Sequence, residues 1–157
     1  MAKELDHPNI SPMVHPPIVA LMFIVIAYFL GRFVPLAFAA PVVLRYIGLA
    51  LTVVGFLLGL GAFLEFRKAR TTLDPHESVK QLVTSGIYRF TRNPIYLGFL
   101  LMVIGLPLNS GLYWGIVLAP FYIFMMNRLI IQHEEAYLER KFGKTYTSYT
   151  AHVRRWL

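Results

Sequence analysis

The chain of 157 residues contains no cysteine, and that absence alone excludes several classes of site. Without thiols there is no disulfide, no cysteine nucleophile, no cysteine-based metal site and no C-terminal prenylation. Acidic residues are also scarce, with 8 Asp and Glu against 15 Lys and Arg, so the formal net charge is +7. The sequence lacks a Walker loop, a GxSxG motif and a dinucleotide-binding glycine fingerprint. A soluble nucleotide-binding fold is therefore not indicated.

The composition is typical of a membrane protein. Hydrophobic residues make up 57% of the chain and the mean hydropathy is +0.57, well above an ordinary soluble domain. In a soluble protein the basic excess would suggest nucleic acid. Here anionic lipid headgroups are the expected partner, and no nucleic acid is expected. The five histidines are scattered without HxxxH or HExxH spacing, so no metal site is predicted.

Four apolar stretches predict membrane helices in a single domain, residues 1–157, after a polar, proline-rich N-terminal arm at residues 1–17. The first two are long enough to cross about 30 Å of hydrocarbon. The last two flank a turn and predict a helical hairpin, in which Pro120 bends the helix without ending it. The predicted fold class is an all-α integral membrane protein with about four transmembrane helices. Their predicted bounds are residues 18–38, 42–64, 95–106 and 112–131.

The first apolar stretch has an alternative interpretation as a cleaved signal peptide. Ala37-Phe38-Ala39 resembles the small-residue site at which such peptides are cut. Against this, the leader is long, its start mixes basic with acidic residues, and the apolar run exceeds a usual signal-peptide core. We therefore expect the stretch to remain as a membrane helix.

The distribution of charge predicts the orientation in the membrane. Four spans place both termini and the hydrophilic segment 65–93 on one side, and that side holds every Lys and Arg except Arg32 and Arg45. The positive-inside rule makes this side cytoplasmic. Segment 65–93 and the tail, residues 132–157, are therefore predicted to meet on one cytosolic face.

The tail is charged and amphipathic. At about 100° per residue, Tyr146, Tyr149, Val153 and Trp156 share one face of a helix. This pattern predicts an amphipathic C-terminal helix in the membrane interface, with its aromatic rings at headgroup depth.

A polar stretch ends at Arg92-Asn93-Pro94, directly before an apolar helix. Asn is a favourable N-cap and Pro suits the first helical turn. Free backbone N–H groups and the positive dipole end at such a start can hold an anionic ligand group. The same residues also fit a plain helix cap or, with Tyr88 and Arg89, an aromatic and basic anchor at the membrane surface.

Two adjacent acids, Glu134 and Glu135, stand where the fourth predicted span leaves the membrane. On a continuous helix they share a face with the apolar Leu138 and Phe142, whereas solvated acids more often face away. Ionisable groups near membrane depth tend to be functional. The alternative is an ordinary acidic pair at headgroup level, balanced by nearby basic residues.

Glycines in the second apolar stretch predict close helix packing. Gly55 and Gly59 form a GxxxG pair, which lets two helix backbones approach. The alternative is direct approach of a ligand to the bare backbone. The pair permits association between copies of the chain without predicting an oligomeric state.

These motifs occur in an order that resembles one family. The order is G-x-Y-R-x-x-R-[HN]-P-x-Y-x-G, a helical hairpin, E-E-x-x-L-x-x-x-F-G-x-x-Y-x-x-Y and a Val-Arg-Arg ending, over about residues 80–157. It is similar to the integral-membrane methyltransferases related to isoprenylcysteine carboxyl methyltransferase and phospholipid methyltransferase. The resemblance implies S-adenosylmethionine as methyl donor and a lipidic, membrane-partitioned methyl acceptor.

The resemblance also implies roles for residues by position. Segments 65–93 and 132–157 would build the cofactor site. Glu135 would lie nearest the reacting centre, with Glu134 as the second catalytic candidate. The implied cofactor-binding residues are Tyr88, Arg92, Asn93, Pro94, Tyr96, Gly98, Glu134, Tyr146 and Tyr149.

Asn93 departs from the isoprenylcysteine branch, which commonly has His there, and this difference suggests an acceptor other than a prenylated cysteine. A carboxylate or thiolate acceptor would need no general base. An amine acceptor would need one, with Glu135 or Glu134 as the candidate. Two other functions fit the architecture: a membrane reductase of the sterol-reductase type that uses NADPH, and a non-enzymatic membrane scaffold.

Overall fold

The computed structural model describes residues 7–11, 14–36, 40–72 and 77–157, which form helices and connecting segments without a strand. The cleavage-like Ala37-Phe38-Ala39 and the first residues of the N-terminal arm lie outside this description. The helices are α1 (Pro16–Phe33), α2 (Val42–Lys68), α3 (Pro94–Asn109), α4 (Trp114–Met126), α5 (Gln132–Phe142) and α6 (Lys144–His152). A 3₁₀ turn at Gly86–Arg89 precedes α3, and a π-helical turn at Asn127–Ile131 joins α4 to α5.

Three helices in the described part of the chain are long and apolar enough to cross a membrane. They are α1, α2 and the continuous helix Trp114–Phe142, while α3 is apolar but has 16 residues. Large apolar side chains such as Phe29, Phe56 and Phe121 are exposed on the bundle, because lipid tails rather than water cover such a surface. The prediction of an all-α integral membrane protein is confirmed.

The first two helices end at residues that hydropathy did not indicate. α1 ends at Phe33, short of the predicted 38, because Val34 precedes Pro35 and the residue before a proline avoids helical backbone. α2 continues past 64 to Lys68, whose ammonium lies 2.7 Å from the Glu65 carboxylate. The loss of hydropathy at residue 65 therefore does not mark the end of the helix.

α3 runs through Pro107 to Asn109, three residues beyond its predicted end. Pro107 has no N–H to donate to the carbonyl of Val103, four residues earlier in the helix. Gly115 of α4 packs against this freed carbonyl, since a Cβ at Gly115 would lie only 2.3 Å from the Val103 oxygen. α4 likewise continues through Pro120, so that proline does not end the helix, as predicted.

α2 and α3 contact each other through bare backbone. A Cβ added at Gly55 would lie 2.5 Å from the Gly98 carbonyl oxygen, and one added at Gly48 would lie 2.7 Å from that of Gly105. Small residues permit this approach between membrane helices. Gly59 is different, because a Cβ there would meet no atom within 4 Å. The packing glycines therefore recur every seven residues on both helices, and Gly59 of the predicted GxxxG pair is not one of them.

The segment before α1 packs onto the bundle. Ile10 is 6% exposed and joins the main apolar cluster, which includes Phe23, Tyr122 and Met126. Within that cluster the Phe23 and Tyr122 rings meet edge to face, with centroids 5.6 Å apart, and so join α1 to α4. Ile10 of the predicted arm is thus part of the protein core.

The tail forms two helices where one was predicted. Gly143 separates α5 from α6 with a φ of +50°, a conformation that favours glycine. Tyr146 on α6 is only 5% exposed, so its ring packs against the protein. α6 ends at His152, and Val153 has extended backbone.

Candidate active site

A cavity lies at the end of the bundle where α3 begins and α5 and α6 pack. The empty space within it amounts to about 840 Å³ when the open solvent at its mouth is included. Its wall combines apolar side chains with two carboxylates and one guanidinium. The predicted site residues that line it are Tyr88, Arg92, Asn93, Tyr96, Glu134, Glu135, Tyr146 and Tyr149.

The end of α2 positions Tyr88. Gly86 opens the 3₁₀ turn with a φ of +57°, and a Cβ there would lie 2.5 Å from the Glu65 carboxyl carbon. Ser85 donates a hydrogen bond to Glu65 at 2.6 Å. Tyr88 follows, 7% exposed, with its ring 5.6 Å from that of Phe66. The turn that begins at Ser85-Gly86 therefore directs an aromatic ring to the cavity wall.

Tyr96 and Glu134 join α3 to α5. The Tyr96 hydroxyl donates a hydrogen bond to Glu134 Oε1 at 2.6 Å, and Tyr96 is 8% exposed. Tyr122 in turn donates to the Tyr96 carbonyl at 3.3 Å. A carboxylate fixed beside tyrosine rings is a suitable environment for a cation.

Glu135 is held by two arginines. Arg155 binds it in a bidentate manner, with Nε to Oε1 at 3.0 Å and Nη2 to Oε2 at 2.5 Å. Arg92 Nη1 lies 3.3 Å from Oε1. The hydrogen bonds to Glu135 raise the pKa of Arg155. Arg92 Nε is buried and has no hydrogen-bond partner in the described structure, which leaves a donor for an anion.

The start of α3 is bound to the C-terminal residues. Asn93 occupies the N-cap position, but its side chain makes no capping hydrogen bond. Its Nδ2 donates instead to the Arg155 carbonyl at 2.9 Å. Thr91, 1% exposed, donates to the same carbonyl at 3.2 Å, and the Arg92 N–H donates to the Arg154 carbonyl at 3.0 Å. Asn93 was expected to cap α3, but its side chain instead joins the start of α3 to the C-terminal residues.

Three tyrosines give the cavity neutral aromatic walls. Burial raises the pKa of the Tyr88 and Tyr149 phenols, and it raises the pKa of Tyr146 to about 12. The Tyr149 hydroxyl donates to the Tyr88 carbonyl at 2.6 Å and so ties α6 to the 3₁₀ turn. At neutral pH these phenols act as hydrogen-bond donors and ring surfaces, not as bases.

Two motif residues do not line the cavity, and several residues outside the motifs do. Pro94 is the buried first residue of α3, and Gly98 faces α2. The wall also includes Val79, Gln81, Leu82, Val83 and Tyr137, and the Tyr137 hydroxyl accepts from the Val79 N–H at 3.0 Å. The first four lie in segment 65–93, which was expected to build the cofactor site, but no motif singles them out. Arg155 does carry a signal, because it ends the Val-Arg-Arg motif.

The described residues contain no group of three or more His, Asp or Glu side chains that could hold a metal ion. The chemistry of the cavity therefore has to be interpreted from its carboxylates, guanidinium groups and tyrosines.

Comparison with known proteins agrees with this architecture. The family model for phospholipid methyltransferase matches residues 43–145. A protein-S-isoprenylcysteine O-methyltransferase of Schizosaccharomyces pombe is 35% identical over 72 residues, which are 46% of this chain and 30% of that protein. Protein-S-isoprenylcysteine O-methyltransferase B of Arabidopsis thaliana is 29% identical over 113 residues, which are 68% of this chain and 55% of that protein.

An uncharacterised protein of Haemophilus influenzae is 41% identical over 66 residues, which are 40% of this chain and all of that protein. No solved structure matches the chain. The chain spans less than two thirds of the two named methyltransferases. Because the family model covers more than half of its residues, the chain belongs to the phospholipid methyltransferase family.

Proposed function

We propose that this protein transfers a methyl group from S-adenosylmethionine to an acceptor that partitions into the membrane. The observation that carries the proposal is a cavity at the end of an apolar bundle that unites the Tyr96–Glu134 pair with Arg92. S-adenosylmethionine has a sulfonium cation and a carboxylate, so it needs a site with both an anionic and a cationic part. The cavity offers both.

Each part of the donor has a suitable partner in this arrangement. Glu134 and the rings of Tyr88 and Tyr96 suit the sulfonium. The spare Nε donor of Arg92 and the first-turn N–H groups of α3 suit the carboxylate. When bound, S-adenosylmethionine supplies an electrophilic methyl group. The protein's task is then to align a nucleophile with it, since displacement in line depends on orientation.

The pairing of Glu135 favours an acceptor that is already ionised. Its carboxylate is occupied by Arg92 and Arg155, so its role is to orient those guanidinium groups. A carboxylate or thiolate acceptor forms the bond to the methyl carbon while the carbon–sulfur bond breaks, and no proton has to move. An amine acceptor is the second candidate and would use Glu134 or Glu135 as its base.

The charge asymmetry favours a cytoplasmic cavity and cytoplasmic termini. The cysteine-free sequence makes this directly testable. A single Cys introduced at the exposed Lys144 of α6 is expected to react with an impermeant maleimide only in inverted vesicles. A single Cys at Asn109, exposed at the opposite end of α3, is expected to react only in right-side-out vesicles. The reverse pattern would overturn the orientation.

Calorimetry of the purified chain in nanodiscs tests the cofactor. S-adenosylmethionine and S-adenosylhomocysteine are expected to bind. Tyr96→Phe and Glu134→Gln are each expected to weaken S-adenosylmethionine about 10- to 100-fold, the range for a lost interaction with a charged group, and to weaken S-adenosylhomocysteine less, because it lacks the sulfonium cation. Glu139→Gln, on the exposed side of α5, is the matched control and should leave affinity unchanged.

The rival functions are outcomes of the same experiment. Binding of NADPH alone would establish the reductase and refute the methyltransferase. Binding of none of the three ligands would favour the scaffold. Unchanged affinity in both cavity variants would remove the cavity as the cofactor site. Transfer of labelled methyl groups to lipid extracts, prenylcysteine analogues, thiols and amines then identifies the acceptor.

A further inference from the structure

The last residues of the chain form a strap across the start of α3. We call residues 153–156 the C-terminal strap. Val153 is 9% exposed, and the Trp156 indole N–H donates to Asn127 in the π-helical turn at 3.3 Å. Between these two anchors the strap runs beside residues 91–93. It is therefore fixed on one side by the bundle and on the other by the approach to α3.

Two side chains before α3 donate to one atom, the carbonyl oxygen of Arg155, beside the separate bond from the Arg92 N–H to the Arg154 carbonyl. The Arg155 oxygen accepts from Asn93 Nδ2 at 2.9 Å and from Thr91 Oγ1 at 3.2 Å. The Thr91 hydroxyl also accepts from the Asn93 N–H at 3.2 Å. Because Thr91 is 1% exposed, water does not compete for its hydroxyl, and each bond supports the others.

Arg155, whose main-chain carbonyl is held in this way, also binds Glu135 through its side chain. Arg155 has a 34% exposed side chain, so burial alone does not keep its guanidinium in place. Its bidentate geometry on Glu135 depends on where its backbone lies. A donor that fixes the Arg155 carbonyl therefore fixes one wall of the cavity.

We propose that Asn93 is a positioning residue that acts on the cavity through Arg155. Asn93 holds the Arg155 carbonyl, the strap stays against α3, and the guanidinium remains on Glu135. This role needs a neutral N–H donor and no titratable group. The proposal goes beyond the methyl-transfer function, because the strap is held whichever ligand occupies the cavity.

Hydrogen–deuterium exchange of the full chain in nanodiscs, without ligand, tests the strap directly. Asn93→Ala removes one of the two donors to the Arg155 carbonyl, so the amides of residues 153–157 are expected to exchange about fivefold faster, as for one lost hydrogen bond of about 1 kcal/mol. Thr91→Val should act in the same direction. Asn93→His keeps a ring N–H and should restore the parent rate within about twofold. Asn109→Ala, exposed at the opposite end of α3, is the matched control.

A second measurement asks whether Asn93 acts through Arg155. Asn93→Ala is expected to weaken S-adenosylhomocysteine about fivefold in the parent and not at all in an Arg155→Ala background, where no guanidinium is left to misplace. This readout rests on the proposed function, whereas the exchange readout does not.

Two results would overturn the proposal. One is unchanged exchange in both Asn93→Ala and Thr91→Val. The other is the full affinity loss of Asn93→Ala persisting in the Arg155→Ala background, which would place Asn93 on the ligand itself. Failure of the parent to bind S-adenosylhomocysteine would refute the proposed cofactor, and the exchange rates would still decide the role of the strap.

Discussion

Replacing Gly98 with alanine is expected to force α2 and α3 apart. A Cβ at Gly98 would lie 2.5 Å from the Gly55 carbonyl oxygen, about 0.9 Å inside the 3.4 Å at which ordinary contact begins. The obstructing atom belongs to helix backbone and cannot rotate away. Overpacking of this kind costs about 1–3 kcal/mol, against a gain in helix propensity of at most about 1 kcal/mol.

Gly59→Ala is the matched control on α2, because its Cβ would meet nothing within 4 Å. Both variants gain the same helix propensity, so the difference in their free energies of unfolding isolates the packing term. Unfolding in detergent, followed by far-UV circular dichroism, is expected to show Gly98→Ala about 1–3 kcal/mol less stable than Gly59→Ala.

Equal stability of these two variants would refute the backbone contact between α2 and α3. The same proteins also test the motif role of Gly98. If Gly98→Ala kept its stability but lost S-adenosylhomocysteine affinity, the cofactor role implied by the family motif would be right, and the assignment of Gly98 to helix packing would be wrong.

Two further predictions concern charge and pH. Glu135→Gln removes the charge that pairs with the guanidinium groups of Arg92 and Arg155, and it should lower the free energy of unfolding by about 1–3 kcal/mol. This is less than for a fully buried pair, because the three side chains are 16–34% exposed. Glu139→Gln changes an exposed residue and should be neutral, so equal stability of the two variants would refute the pairing. Since burial raises the pKa of Tyr146 from 10.0 to about 12, the stability that neutral Tyr146 contributes is complete below pH 10 and is lost as pH rises towards 12. Tyr146→Phe should therefore lose less stability over that interval, and an identical pH profile would contradict the burial.

The helical architecture could be predicted from the sequence because membrane hydropathy is a strong signal, but the helix ends could not. Hydropathy reports where a chain leaves lipid, whereas a helix ends where its backbone can no longer continue. α2 extends to Lys68 because polar residues remain good helix formers. α3 extends through Pro107 because Gly115 allows α4 to pack against the carbonyl that proline leaves unbonded.

The cavity could be predicted in part because its polar residues lie in spaced motifs. Tyr96 and Glu134 are 38 positions apart, and only the family pattern joined them before the structure placed them 2.6 Å from each other. Segment 65–93 was expected to build the cofactor site, but its wall residues Val79, Gln81, Leu82 and Val83 could not be singled out, because they belong to no motif. The structure places them beside Tyr137, whose hydroxyl accepts from the Val79 N–H.

Asn93 shows how a local signal can predict the right element and the wrong partner. N-cap preference reflects side-chain oxygens that accept from the first helical turn, but the Asn93 amide also carries a donor. That donor meets a carbonyl 62 residues later in the chain, and no local pattern encodes such a contact.

The structure also changes what the Asn-for-His difference means. A side chain that serves by donating one neutral N–H to main chain can be Asn or His, so the residue at 93 is not by itself evidence about the acceptor. Within the proposed methyl transfer, the acceptor is better sought from the groups around Glu135, because a carboxylate that is occupied by Arg92 and Arg155 favours the proposal of a nucleophile that needs no base.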